Sequence, residues 1–282
     1  MGIMGTAYAK NALAAGFPVI GYDIDGSRVE NLEHMGGTPS SAPGEVAAAS
    51  DVALLALPKV PALDDVVKDL AAEARTDLLV VEMGTFPLEA KLRARDTLAE
   101  AGVACLDAPV SGTGLQADAG EIVVYASGDP DGIEAARPVL DAIAAEIFDV
   151  GEFGNGSRMK YLANLLVSVH NLVTAETLVL ARAAGLDPER VLEVISAGVG
   201  TSRIFEIRGP MMVKDEYPPA ARLDMFIKDI GVITDFARSV GAPTPLLDAS
   251  LSWYEDAVGA GLGDLDAAAL ARLLASKLPG DS

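Results

Sequence analysis

The chain has 282 residues, of which half are hydrophobic and 22% are charged, a composition typical of a folded globular protein. Its 41 acidic and 21 basic side chains give a formal net charge of −20, which argues against nucleic acids and anionic lipid surfaces as partners. A single cysteine excludes an internal disulfide, and two histidines leave little for a zinc site, so we expect no metal.

The first half of the chain alternates short apolar runs with segments of helical spacing. The predicted strands are residues 17–23, 51–58, 78–83, 104–110 and 121–126. Unbroken apolar strands that alternate with helices are typical of a parallel sheet covered on both faces. No pattern typical of a secretory signal or a membrane-spanning helix is evident, so we expect a cytoplasmic protein that does not bind membranes.

After Val150 the strand pattern ends, and a glycine-rich turn leads into a long helical pattern. We predict that this helix has Ser157 as its N-cap and ends before Gly185. Further helices are predicted at residues 188–197, 224–240, 245–260 and 265–277. The sequence therefore predicts an α/β domain over residues 1–151 and an all-helical domain over residues 152–282.

The first chemical motif is a Gly-x-x-Gly turn. Gly2 and Gly5, separated by Ile3 and Met4, have the spacing of the last two glycines in G-x-G-x-x-G. The glycines of that motif let the backbone approach a pyrophosphate at a helix N-terminus. Asp23 closes the next predicted strand, where a carboxylate accepts hydrogen bonds from a ribose 2′-hydroxyl and repels a 2′-phosphate. The pattern predicts a dinucleotide site that prefers NAD over NADP.

This fingerprint normally begins with a strand and an earlier glycine, and neither precedes Gly2 in the sequence. Either the true start lies upstream of Met1, or the chain lacks the first strand of its sheet. Loss of a central strand would leave backbone groups of its neighbours unpaired, so we favour the upstream start.

A second motif, residues 107–114, follows a predicted strand and is rich in small residues. Its successive backbone N–H groups and the Ser111 hydroxyl are suited to hold a carboxylate. The alternative interpretation is an ordinary turn at the end of a strand.

A third motif lies at the start of the long helix, where Lys160 and Asn164 are four residues apart and share one helix face. The helix N-terminus and burial would both lower the pKa of Lys160, which would then exchange a proton with a substrate hydroxyl near neutral pH. Asn164 would orient the same oxygen. The alternative interpretation is an exposed lysine on a helix surface.

Taken in this order, the motifs resemble the β-hydroxyacid dehydrogenase family, which includes 3-hydroxyisobutyrate dehydrogenase and tartronate semialdehyde reductase. The resemblance extends over nearly the whole chain. The residues that carry it are 2–5 with Asn11, 107–112, 154–156 with Lys160 and Asn164, Lys228 with Asp229, and 261–266.

The resemblance implies a Rossmann-type N-terminal domain, here without its first strand, joined by the long helix to an all-α C-terminal domain. It implies that Lys160 is the catalytic acid and base, with Asn164 as its partner. The implied substrate-binding residues are Ser111, Gly112 and Thr113. The implied cofactor-binding residues, besides the glycine turn and Asp23, are Leu57, Pro58, Thr85 and Lys228. Members usually form homodimers or homotetramers through the helical domain.

We therefore predict an NAD(P)-dependent oxidoreductase that interconverts a small 3-hydroxy acid and its semialdehyde or keto form by hydride transfer. Two alternatives stay open from the sequence: a nucleotide-binding scaffold without turnover, and an imine or aldehyde reductase of the same architecture. Lys160 argues against imine reductases, which usually replace this lysine. Thr113 stands where the family usually has a second glycine, which leaves the identity of the hydroxy acid open.

Overall fold

The structure, a computed structural model, describes residues 1–279 and divides into two compact units. The first unit is Met1–Lys160, and the second begins at Tyr161. The domain boundary predicted after residue 151 stays a prediction. The division between the two compact units falls after Lys160, within a long helix.

The first unit contains seven helices and eight strands besides the start of an eighth helix. The helices are α1 (Ile3–Ala14), α2 (Gly26–His34), α3 (Pro43–Ala49), α4 (Val60–Glu73), α5 (Leu88–Glu100), α6 (Gly114–Asp118) and α7 (Pro130–Ile143). The strands are β1 (Ile20–Gly21), β2 (Thr38–Pro39), β3 (Val52–Leu55), β4 (Leu79–Glu82), β5 (Ala104–Asp107), β6 (Val110–Ser111), β7 (Ile122–Ala126) and β8 (Ala144–Asp149).

The eighth helix, α8 (Asn155–Ala183), begins in the first unit and continues into the second. The other helices of the second unit are α9 (Pro188–Ser196), α10 (Arg203–Lys214), α11 (Leu223–Ser239), α12 (Pro245–Gly259), a 3₁₀ turn (Ala267–Ala269) and α13 (Leu270–Ala275). The part of this unit that the structure describes has no regular strand, so the predicted α/β domain followed by an all-helical domain is confirmed.

The strands form three small sheets. β1 pairs with β2 and β3-β4-β5 form a second sheet, both parallel, whereas β6 runs antiparallel to β7 in the third sheet with β8. The prediction of a purely parallel sheet is therefore wrong at β6. The predicted strand 104–110 is divided because Pro109 has no N–H to donate to a ladder, and of the predicted strand 17–23 only β1 pairs regularly.

Both faces of the central sheet are covered, as predicted. Alternation along β4 sends Leu79 and Val81 into one apolar cluster with α1 and α7, and Val80 into another with α4 and α5. A third cluster forms the core of the second unit, where Tyr161, Leu172 and other residues of α8 pack against α11 and α12.

Several helix ends differ from the prediction. α8 begins at Asn155, so Ser157 lies in its first turn and is not the N-cap. Gly185, with a φ of +72°, confirms the predicted glycine beyond the helix end. α10 was missed because Gly209 and Pro210 lie inside it. The predicted helix 265–277 begins as a 3₁₀ turn, because the buried Asp266 accepts from the Ala268 N–H at 3.0 Å.

One helix among residues 1–279, α8, is long and apolar enough by length and composition to cross a membrane, where the sequence analysis expected none. The core helix of a globular protein passes the same test. Asn171 in α8 is buried and donates to the Tyr254 hydroxyl and the Ala267 carbonyl, and Tyr161 lies in the core. These contacts are typical of a helix in a protein core.

Candidate active site

Three strands end at the same edge of the first unit. Leu55 of β3 is in register with Glu82 of β4, which is in register with Asp107 of β5. The predicted cofactor residues Leu57, Pro58 and Thr85 and the predicted substrate residues follow these strand ends directly. The carboxyl edge of a parallel sheet is where α/β folds bind ligands, so the register brings these segments to one place.

The glycine turn lies at the N-terminus of α1. Gly2 is extended and precedes the helix, while Ile3, Met4 and Gly5 form its first turn, with no side-chain cap and no acidic residue there. The first N–H groups of a helix have no partner within the helix and attract anions.

The same turn lies against the sheet edge. A Cβ on Gly5 would lie 3.6 Å from the Ala56 Cβ, and a Cβ on Gly114 would lie 2.4 Å from the Ile3 Cγ2. Glycine at position 114 therefore allows the first residue of α6 to contact α1. Together with its uncapped N–H groups, this location fits the phosphates of a dinucleotide.

Asp23 is nearly buried and makes three polar contacts. Its Oδ2 lies 2.7 Å from the Met1 ammonium and 3.4 Å from Nη1 of Arg28, and its Oδ1 accepts from the Asp25 N–H at 2.9 Å. Burial alone would raise the pKa of Asp23, but these partners outweigh it and hold the pKa below its ordinary value. Arg28 was missed by the sequence analysis, although its place five residues after Asp23 was visible.

The predicted carboxylate-binding loop contains a glycine, Gly112, at a position where the backbone conformation and the close packing both favour glycine. Ser111 is half-buried in β6, and Gly112 has a φ of +146°, with the Ile122 Cγ2 only 2.7 Å from where its Cβ would lie. Thr113 caps α6: its N–H donates to the Gln116 Oε1 at 3.0 Å, and its hydroxyl accepts from the Gln116 N–H. A carboxylate that binds Thr113 would have to compete with Gln116.

α8 starts very close to the ends of two strands. A Cβ on Gly156 would lie 2.4 Å from the Tyr125 carbonyl oxygen and 2.6 Å from that of Asp107. The Ser157 N–H and hydroxyl donate to the two carboxylate oxygens of Asp107 at 2.7 and 2.9 Å. Lys160 follows three residues later and is half-buried.

In the second unit, Asn164 belongs to a small polar cluster. The buried Asn164 donates its amide N–H to the Asp229 Oδ2 at 2.9 Å, and the Lys228 Nζ lies 3.2 Å from the Asp229 Oδ1. Asp229 thus links two predicted site residues. Its role was missed, although the sequence analysis had noted it beside Lys228.

Comparison with known proteins covers nearly the whole chain. The NAD-binding domain of 6-phosphogluconate dehydrogenase matches residues 1–151, and the NAD-binding domain of NADP-dependent 3-hydroxyisobutyrate dehydrogenase matches residues 154–274. L-threonate dehydrogenase of Cupriavidus necator is 33% identical over 99% of this chain and 96% of its own.

Two further comparisons agree. The chloroplastic glyoxylate/succinic semialdehyde reductase 2 of Arabidopsis thaliana is 32% identical over 97% of this chain and 77% of its own. The crystal structure of 3-hydroxyisobutyrate dehydrogenase from Salmonella typhimurium superposes with a TM-score of 0.88, covers 97% of each chain and is 29% identical.

The chain belongs to the β-hydroxyacid dehydrogenase family. Both of its family matches are NAD(P)-binding domains, and its relatives are dehydrogenases and reductases. This β-hydroxyacid dehydrogenase is therefore an NAD(P)-dependent oxidoreductase, and the alternative of a scaffold without turnover is set aside.

This β-hydroxyacid dehydrogenase also contains a buried charge cluster that was not predicted from the sequence, formed by Glu82, Lys91 and Asp107. The Lys91 Nζ lies 2.6 Å from the Glu82 Oε2 and 2.6 Å from the Asp107 Oδ1, and all three side chains are at most 2% exposed. Burial raises the pKa of Glu82 above its ordinary value, even though Lys91 opposes that shift. Burial alone would lower the pKa of Lys91, but the two carboxylates raise it.

Proposed function

We propose that this enzyme interconverts a small 3-hydroxy acid and its semialdehyde or keto form, with Lys160 as the general acid and base. The observation that carries the proposal is the arrangement of the first unit. The uncapped first turn of α1, the ends of β3, β4 and β5, and the start of α8 all lie at the carboxyl edge of the sheet.

The cofactor residues that we propose are the glycine turn with Asp23, Leu57, Pro58, Thr85 and Lys228. When bound, the nicotinamide supplies the hydride acceptor for oxidation and the hydride donor for reduction. The protein contributes binding, orientation and exclusion of water. Ser111, Gly112 and Thr113 hold the substrate carboxylate, which fixes the position of the hydroxyl-bearing carbon.

Lys160 moves the proton in this proposal. During oxidation, its neutral amine takes the proton of the substrate hydroxyl, and during reduction the ammonium returns that proton to the new alkoxide oxygen. Asn164 orients the same oxygen, and the Asn164 side chain is itself held by its hydrogen bond to Asp229. Lys228, whose Nζ lies 3.2 Å from the Asp229 Oδ1, is the proposed cofactor-binding residue of the second unit.

L-Threonate is the first substrate to test, because it is the substrate in the name of a relative that is 33% identical. We would measure formation of reduced nicotinamide by purified full-length protein with L-threonate, 3-hydroxyisobutyrate, glycerate and 3-hydroxypropionate, each with NAD+ and with NADP+. Methyl esters of the same acids test whether the carboxylate is required. Equal turnover of acid and ester would contradict a carboxylate site at Ser111 and Gly112.

Removal of the Lys160 amine tests the catalytic assignment. We expect Lys160→Ala to lower kcat by about 10²–10⁴-fold, the usual contribution of a general acid and base, with NAD+ affinity nearly unchanged. Lys68→Ala, which removes an exposed lysine of α4, is the matched control and is expected to match the wild type. Turnover at the wild-type rate in Lys160→Ala would exclude this role.

The proposed cofactor preference is NAD over NADP, supported by the carboxylate of Asp23. Arg28 is the feature that opposes it, because a nearby arginine accommodates the 2′-phosphate of NADP in dinucleotide-binding folds. Its Nη1 is close to Asp23 and lies 3.8 Å from where a Gly2 Cβ would be.

We also propose that the enzyme is cytoplasmic and forms a homodimer or homotetramer through its helical unit. One stripe of α8 is exposed and apolar, formed by Leu162, Leu166, Val173 and Leu180. At 3.6 residues per turn these four side chains lie within about 40° of one another around the helix. An exposed apolar stripe of this kind favours contact with a second copy of the chain.

A further inference from the structure

Two of the proposed functional segments are joined by one buried carboxylate. Asp107 ends β5 and begins the loop that carries Ser111, so it belongs to the substrate-binding segment. Its carboxylate oxygens also accept both donors of Ser157, the backbone N–H at 2.7 Å and the hydroxyl at 2.9 Å. Ser157 lies in the first turn of α8, less than one helical turn before Lys160.

A second serine strengthens this junction. The Ser127 hydroxyl donates to the Asp107 carbonyl oxygen at 2.9 Å and accepts from the Gly156 N–H at 3.0 Å. Ser127, Ser157 and Asp107 are all at most 1% exposed. Two N–H groups at the start of α8 are therefore satisfied by groups outside the helix, a tertiary cap that fixes where the helix begins.

The charge of Asp107 is balanced within the same core. Lys91 lies between Asp107 and Glu82, and the Glu82 Oε1 accepts from the Gly84 N–H at 2.8 Å, next to Thr85. Buried charges are costly to desolvate, and apolar residues in such places often give equal or greater stability. Stability alone therefore does not account for this buried charge cluster.

We infer that Asp107 and Ser157 are positioning residues for the reaction. Their two hydrogen bonds fix the start of α8 relative to the substrate loop, and so set the distance between the Lys160 amine and a hydroxyl held by that loop. The inference rests on the proposed function of Lys160. Displacement of a reacting group by about an ångström can reduce turnover by about a hundredfold, so hydrogen bonds of this geometry are sufficient for such control.

The test is removal of the Ser157 hydroxyl with a control that removes an equally buried one. Ser250 is also 1% exposed, and its hydroxyl donates to the Leu247 carbonyl at 2.7 Å within α12. We would measure kcat, KM, NAD+ affinity and the thermal midpoint of Ser157→Ala and Ser250→Ala. Ser157→Ala is expected to lower kcat about ten- to a hundredfold, with NAD+ affinity unchanged. Ser250→Ala is expected to change only the thermal midpoint.

A double-mutant cycle then shows whether the serine acts through Asp107. Asp107→Asn keeps the shape of the side chain but removes its charge and one acceptor oxygen. If both residues act through the same bonds, the double variant loses little more kcat than Asp107→Asn alone. Additive losses of kcat in the double variant would overturn the inference.

Lys160→Ala separates this inference from the proposed function. If Lys160→Ala is inactive and Ser157→Ala has the kcat of Ser250→Ala, the positioning role is wrong and the proposed function stands. If Lys160→Ala turns over like the wild type, or the wild type turns over no hydroxy acid, the proposed function and the inference fail together.

Discussion

Asp23 and Arg28 would act in opposite directions at the edge of the proposed dinucleotide site, so we expect cofactor choice to depend on both side chains. The carboxylate would accept hydrogen bonds from a ribose, while the guanidinium, 3.4 Å away, would attract a phosphate. Their contact also means that removal of one side chain changes the surroundings of the other, although Asp23 keeps its contacts with the Met1 ammonium and the Asp25 N–H. A single substitution is therefore less informative than the pair.

We expect Asp23→Ala to weaken NAD+ by about tenfold, the usual contribution of a hydrogen bond to a charged group, and to relax discrimination against NADP+. Arg28→Ala should leave NAD+ nearly unchanged and weaken NADP+. The measurement is the ratio of kcat/KM for the two cofactors in both variants and the wild type. An unchanged ratio in Asp23→Ala would show that this residue takes no part in cofactor choice.

Glu82 makes stability depend on pH in a direction opposite to that of most carboxylates. Its pKa is raised from the ordinary 4.5 by burial, so the folded protein keeps a proton that the unfolded chain has already lost. The folding stability that this group contributes is therefore present at low pH. It is lost as pH rises from the ordinary pKa of a glutamate to the raised pKa of Glu82. Gln at this position resembles the protonated form at every pH.

We expect Glu82→Gln to gain stability relative to the wild type as pH rises from about 5 to about 8, as measured by urea unfolding. Glu45→Gln is the control, because hydrogen bonds from Ser41 and Ser40 hold the pKa of Glu45 below its ordinary value. Its difference from the wild type should therefore stay constant over the same range. A pH-independent difference for Glu82→Gln would contradict the raised pKa.

Patterns within one short segment are visible in the sequence, whereas contacts between distant segments are not. The spacing of Lys160 and Asn164, and the glycines of the first turn, are visible in a few consecutive residues. The pairing of Lys91 with Asp107, 16 residues later, and of Asn164 with Asp229, 65 residues later, depends on packing and leaves no local pattern. Ser157 was assigned as an N-cap because its tertiary acceptor was not visible.

At the scale of elements, the position of α8 depends on a glycine in its first turn. Gly156 has no unusual φ, so its role is close approach: two carbonyl oxygens lie 2.4 and 2.6 Å from where a Cβ would be. Both are backbone atoms of strand ends, which cannot rotate away as a side chain does. The sequence pattern predicted which segments are strands and which are helices, whereas tertiary contacts of this kind set where those elements end.

We expect Gly156→Ala to destabilise the protein by about 1–3 kcal/mol through overpacking, which outweighs the gain of about 1 kcal/mol in helix propensity. Turnover should also fall, because the helix that carries Lys160 must shift. Gly231→Ala is the matched control: Gly231 is also helical, and nothing lies within 4 Å of where its Cβ would be. The control should become more stable by about 1 kcal/mol. Equal effects in thermal unfolding would contradict the close approach.

At the scale of the whole molecule, an acidic chain carries one apolar stripe on its longest helix. The net charge of −20 makes two copies repel each other at long range, whereas the stripe of α8 favours their contact. Salt screens the repulsion and leaves the apolar contact nearly unchanged. If the stripe is the contact between copies, association should strengthen with ionic strength, which is opposite to the behaviour of an interface held by ion pairs.

We expect Leu166→Glu to dissociate the proposed oligomer, because it places a like charge from each copy within an apolar contact. Leu246→Glu is the control: it introduces the same charge at an exposed leucine of α12 that lies outside the stripe. Light scattering after size exclusion, at low and high salt, gives the mass of each variant. If the wild type is a monomer under both conditions, the proposed contact does not exist. If an oligomer persists in Leu166→Glu, the contact lies elsewhere. Retained turnover in a monomeric Leu166→Glu would show that one copy holds all the groups that the reaction needs.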